Sequence, residues 1–111
     1  MGNRSVMTCL EKREWLNRTA VALDDLLSRG RALEEAGLIH DAVDFYEKAQ
    51  ARSELERLLP LALEEGDAFL FVRLHRLLKK DPSPEQWEIL AQRAEALGKN
   101  LYAQRARQHL A

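Results

Sequence analysis

Apolar residues recur along this chain at three- and four-residue intervals, the spacing of one face of an α-helix. Leu16, Ala20, Leu23 and Leu27 form one such stripe, and Ala42, Val43, Tyr46 and Ala49 form another. The alternation with a period of two that marks a half-buried strand is not found. Local signals divide the helical pattern. Thr8 followed by Glu11 is a capping box, in which each side chain serves the other's backbone N–H, so a helix is expected from Cys9. It runs to Ala36 and stops at Gly37, either unbroken or with a short break near residues 17–19. A second helix is expected over residues 40–52. Ser53 and Glu56 make another capping box and predict a third helix ending at Gly66. Pro60 predicts a kink or restart within it, because its ring removes a hydrogen bond and clashes with the preceding turn. Asp67 caps a fourth helix over residues 68–80. In Asp81-Pro82-Ser83-Pro84, Ser83 suits the N-cap, Pro84 the first helical position, and Gln86 completes a box. The fifth helix then runs to Leu97 and stops at Gly98, and a sixth runs from about Leu101 onward. Residues 1–7 are expected to be a disordered terminus.

Two stretches share a finer grammar. One is Leu26-x3-Gly30-x2-Leu33-x3-Gly37-x4-Ala42-x3-Tyr46-x2-Ala49, and the other is Trp87-x2-Leu90-Ala91-x2-Ala94-x3-Gly98-x4-Ala103. Each reads as a helix, a glycine turn, and a second helix whose alanine lets the pair approach closely. This pattern resembles the tetratricopeptide repeat, with its Trp-x2-Leu-Gly-x2-Tyr in one helix and Ala-x3-Phe in the next. Trp87-x2-Leu90-Ala91 and Ala42-x3-Tyr46 carry the likeness. Ala91 and Ala94 stand for the family's glycine and tyrosine, and Arg107 replaces the aromatic partner of Ala103. The middle unit departs most: Phe71 falls where a small alanine belongs, and Pro60 interrupts the first helix. Gly37 and Gly66 are 29 residues apart and Gly66 and Gly98 are 32 apart, short of the family period of about 34. The likeness covers roughly residues 24–111. It implies an all-α fold: a right-handed α-solenoid of about three antiparallel helix hairpins plus an N-terminal helix. The hairpins fall at about 24–52, 53–80 and 83–111, within a single domain over 8–111. Irregular α-solenoids of coat and trafficking scaffolds, and a non-repeat helical bundle, are the alternatives.

Charge narrows the functional classes. The 111 residues hold 17 basic and 18 acidic residues, a net charge of −1. That balance argues against nucleic-acid binding through overall charge. Cys9 is the single cysteine, so no intrachain disulfide can form, and a reducing, cytoplasmic compartment is expected. The N-terminal region is too charged for a secretory signal. Met1-Gly2-Asn3-Arg4-Ser5-Val6 approaches a myristoylation motif, but Val6 stands where Ser or Thr is needed.

No catalytic constellation is found. His40, His75 and His109 are far apart in sequence, His40 and Asp44 lack a third metal ligand, and there is no phosphate loop or nucleophile elbow. No cofactor, metal or small-molecule substrate is expected. The resemblance implies instead a groove lined by the first helix of each hairpin, which assigns Leu27, Arg31, Glu34, Glu35, Glu88, Gln92 and Glu95 to partner binding. Leu27, Ser28 and Arg31, and Glu88, Ile89 and Gln92, stand where some family members place the Lys and Asn residues that clamp a C-terminal carboxylate. A basic or mixed peptide, or a helical protein, is therefore the expected partner. A second candidate is the basic amphipathic helix over 68–80, with Leu70, Phe71, Leu74, Leu77 and Leu78 on one face. Arg73, Arg76, Lys79 and Lys80 on the other face give an alternative contact with anionic membranes or nucleic acid. Trp87 reads as hairpin filling, and Trp15 as an anchor of the first helix or of an interface. The expected function is a non-enzymatic interaction module or scaffold. The alternative is self-assembly, with Leu101, Tyr102 and Leu110 left for a second copy.

Overall fold

The computed structural model describes residues 8–110, without the side chain of Trp15. The expected disordered terminus at residues 1–7 and the role given to Trp15 lie outside what is described. The described residues form six helices and no strand. Helix α1 (Cys9–Glu35) opens on the expected box: the Glu11 N–H donates to the Thr8 hydroxyl at 3.1 Å, and the Thr8 N–H to the Glu11 carboxylate at 3.3 Å. It runs through residues 17–19 without a break.

Helix α2 (Ile39–Lys48) ends earlier than expected, because Gln50 takes a left-handed φ of 53° that no helix continues through. Helix α3 (Arg52–Glu64) then starts without the expected box. Ala51 stands at its N-cap with no side-chain bond, and Ser53 lies inside the first turn. Glu56 is engaged elsewhere, 3.3 Å from Arg52 and 3.0 Å from Lys80. Helix α3 continues through Pro60 with no restart. Pro60 is exposed, so water can serve the Glu56 carbonyl that the proline cannot.

Asp67 caps α4 (Ala68–Leu78), accepting from the Leu70 N–H at 3.0 Å. This helix stops two residues before the expected end because Lys79 is left-handed, at φ 56°. Ser83 and Gln86 cap α5 (Pro84–Ala96) reciprocally, at 3.2 and 2.9 Å. Helix α6 (Asn100–Gln108) is the last. None of the described helices is long and apolar enough to cross a membrane.

The helices gather into two compact units, Met1–Ala49 and Gln50–Ala111. In the first, α2 packs on the C-terminal part of α1. Gly30 makes this possible: a Cβ there would stand 2.6 Å from the Tyr46 ring. Tyr46 is fully buried, and its hydroxyl donates to Glu34 at 2.8 Å. In the second unit α3 packs on α4 and α5, and α6 packs on α4 and α5. Leu58, Leu70, Phe71, Leu74 and Leu90 are its largest fully buried apolar side chains together with Leu78.

Gly66 sits at the tightest point of this second unit. Its φ is +63°, and an added Cβ would meet the backbone N and Cα of Ala94 at 2.6 Å. Gly98 shares the positive φ, +76°, but has open space around it. Gly66→Ala is therefore expected to lose roughly 2–5 kcal/mol, from backbone strain and steric overlap together, and Gly98→Ala only about 1 kcal/mol from strain. Urea unfolding of both variants checks this; equal losses would remove the claim that contact with α5 sets the cost.

A basic and aromatic groove between helices α4 and α6

In the second unit, the Ser83 cap and Pro84 start α5 so that Trp87 enters the core at the first turn. Its ring meets Phe71 edge to face, with centroids 5.1 Å apart and planes at 79°. Phe71 in turn meets His75 at 4.3 Å. His75 is buried, and its Nδ1 lies 2.9 Å from the Phe71 carbonyl oxygen. A carbonyl only accepts, so Nδ1 carries the proton in this contact. His109, just past α6, stacks on Trp87 with ring centroids 4.0 Å apart and planes 4° apart.

Beside this stack lies a groove of about 660 Å³, lined from α4 by Ala68, Phe69, Val72, Arg73 and Arg76, from α5 by Trp87, and from the α6 end by Arg105, Gln108 and His109. The spacing explains the lining. Phe69, Val72, Arg73 and Arg76 stand three and four apart on α4, opposite the face that buries Leu70, Phe71, Leu74 and Leu78. Arg105, Gln108 and His109 repeat that spacing on α6. Three guanidinium groups and an imidazole thus surround an apolar floor, and no Asp or Glu is among the lining residues. Phe69 is 57% exposed, large for an aromatic ring. Guanidinium groups bind carboxylates and phosphates through paired N–H donors, and here they stand next to apolar side chains.

The basic set expected from sequence divides. Arg73 and Arg76 face the groove. Lys79 forms the left-handed end of α4 and is exposed, and Lys80 pairs with Glu56 of α3 at 3.0 Å. The residues assigned by family likeness fall in two places. In the first unit Leu27 is half-buried, Arg31 and Glu35 are exposed, and Glu34 accepts the Tyr46 hydroxyl bond, a structural task. In the second unit Glu88 and Gln92 line a shallow hollow of about 340 Å³ with Ala91, Arg107 and Leu110. Glu95 is paired with Arg107. Leu101 is exposed and Tyr102 half-buried. Phe69, Val72, Arg105, Gln108 and His109 were not singled out from sequence as binding residues. Their matching three- and four-residue spacing on two helices is the signal that would have found them.

Among the described residues, no group of three or more His, Cys, Asp or Glu side chains could hold a metal ion. No family model, curated protein or solved structure matches this chain.

The ion pair that removes Lys80 from the basic set has a readable signature. Hydrogen bonding and charge from Lys80 hold the Glu56 carboxyl below the usual carboxylate range; Arg52 adds to this, and partial desolvation opposes it. A carboxyl depressed in the fold stabilises fully above its ordinary pKa, and that gain disappears as pH falls through the lowered folded value. Lys80→Gln is expected to return the Glu56 titration, followed by carboxyl NMR, toward the ordinary range. The variant's stability deficit should be present at neutral pH and vanish in acid. An unmoved Glu56 titration would show that the contact does not persist in solution.

Proposed function

We propose that this chain is a non-enzymatic protein-interaction module, and that the groove between α4 and α6 receives an acidic segment of a protein partner. The observation that carries this reading is the composition of the groove: Arg73, Arg76, Arg105 and His109 around Phe69, Val72 and Trp87, with no acidic lining residue. A carboxylate-bearing segment pairs with the exposed Arg76 and Arg105 guanidinium groups, and an apolar side chain next to it packs on the exposed part of Phe69. Burying that ring supplies affinity, and the charges supply selectivity and a fast encounter.

The helix pairings support a repeat scaffold behind this surface. Contacts of α3 with α4 and α5, and of α6 with α4 and α5, are those that two successive antiparallel hairpins of a tetratricopeptide-like right-handed solenoid would make. On that reading, the groove lies between the second helices of the two hairpins, not along the first helices where the family likeness put it. The partner is correspondingly acidic rather than basic or mixed. A cytoplasmic setting fits the exposed thiol of Cys9.

A protein segment is favoured over a bilayer or nucleic acid. With Lys80 drawn to Glu56, the groove cations border a concavity and do not spread over a flat face. Phe69 is a single open ring, where single-stranded nucleic acid needs a series of stacking platforms.

The test is fluorescence anisotropy with labelled peptides rich in Asp and Glu around one aromatic residue, against charge-reversed counterparts. Acidic peptides should bind more tightly, and less so as salt is raised. Arg76→Glu and Arg105→Glu, both at exposed positions, should each weaken binding about tenfold or more. Phe69→Ala should also weaken it. Equal binding of both peptide charges, or charge reversals without effect, would remove the groove assignment.

A further inference from the structure

Helix α1 is much longer than the helix that covers it. Its 27 residues extend about 40 Å, and the 10 residues of α2 extend about 15 Å. Tyr46 of α2 rests on Gly30 and bonds Glu34. Traced toward the N-terminus at 3.6 residues per turn, the same face continues through Leu27, Leu23, Ala20, Leu16 and Cys9, all within about 60° of arc. Leu16 is 52% exposed and Leu23 38%; Ala20 and Cys9 are exposed and Leu27 half-buried. An amphipathic helix gains its stability from burying such a face, and within the first unit α2 reaches only one end of it.

We propose that this face is covered by the same face of a second copy of the chain, antiparallel, about a two-fold axis level with residues 18–19. Two observations on α1 select this occupant and this direction. The first is the order of the stripe. Antiparallel pairing about that level puts Leu16 next to the second copy's Leu23, Ala20 next to the second copy's Ala20, and Cys9 next to the second copy's Leu27. Every layer is apolar, and the small Ala20 lies near the axis, where the two backbones come closest. The second is charge. Arg13 and Asp24 are exposed and flank the stripe on the same side. A two-fold across antiparallel helices brings like flanks together, so Arg13 of each copy meets Asp24 of the other. Parallel pairing would instead gather Lys12 and Arg13 of both copies at one end, four cations together. The contact is isologous and closes on itself, the commonest arrangement for a homodimer. It is independent of the groove proposed above, and either can fail without the other.

Sedimentation of the full chain tests it. The expected result is a species of twice 12.8 kDa that grows with concentration up to about 200 µM. Leu16→Glu and Leu23→Glu, at exposed positions, should each keep the helical circular dichroism and give monomer. Arg13→Asp should weaken the dimer roughly tenfold, and Arg13→Asp with Asp24→Arg should restore it. Direction is read by cross-linking. The two Cys9 thiols of an antiparallel dimer are offset by about 28 Å along the axis and cannot join. Ala20→Cys in a Cys9→Ser background should form a disulfide dimer under mild oxidation. A monomer throughout the concentration range, a dimer insensitive to both glutamates, or a Cys9 disulfide in the native chain would each overturn the proposal.

Discussion

The second unit depends on one close approach, the backbone of Gly66 against the backbone of α5 at Ala94. There is no room for a methyl group there, so the turn after α3 seats directly on the helix that follows α4. The approach also settles the end of α3. The last carbonyls of a helix have no intrahelical partner and carry the negative end of its dipole. Here the Arg93 guanidinium donates to the Glu64 carbonyl at 3.0 Å, and the Lys99 ammonium to the Glu65 carbonyl at 2.7 Å. Two cations, one from α5 and one from the residue after Gly98, thereby fasten α5 and the start of α6 to the end of α3. Steric fit and capping act at the same point.

The groove lies beside the unit's aromatic contacts, with Trp87 in its lining. Phe71 is fully buried, and Trp87 meets it edge to face with ring centroids 5.1 Å apart. Helix α5 therefore touches backbone at Ala94 and is held off by two aromatic rings seven residues earlier. The His109 ring continues the stack, and α4 and α6 border the space beside it. Phe71 does not line the groove itself but packs against Trp87, which does.

What the sequence revealed follows the range of the forces involved. Local signals were sound where their groups had no stronger competitor: the Thr8 and Ser83 boxes formed, and so did the glycine stops at residues 37, 66 and 98. The box at Ser53 failed because Glu56 found two cations, one of them Lys80 from another helix. Propensity cannot foresee a partner 24 residues away. Pro60 was overrated as a breaker because the cost of its missing bond depends on whether water reaches the freed carbonyl. The groove was half legible. Arg73 and Arg76 were marked on α4, but Arg105 and His109 join them only through the placement of α6, which is set at Gly66 and Ala94. Family likeness pointed to the other helices of each pair.

Charge across the second unit bears on whether the groove cations are incidental. Arg52 pairs with Glu56, Arg57 with Glu54, Lys80 with Glu56 and Arg107 with Glu95. Arg93 and Lys99 serve carbonyls. These six cations are thus matched to named acceptors within a turn or across a helix contact. Arg73, Arg76, Arg105 and His109 line the groove, and no acidic residue is among its lining residues. Like charges gathered on one surface lower stability, and under the proposed reading a partner's carboxylates relieve the repulsion between the groove arginines. The same reasoning separates the two surfaces of the chain. The α1 stripe is apolar, with Arg13 and Asp24 on one flank, and as proposed it pairs with itself; the groove, lined by arginines alone among charged side chains other than His109, is proposed to take a different molecule.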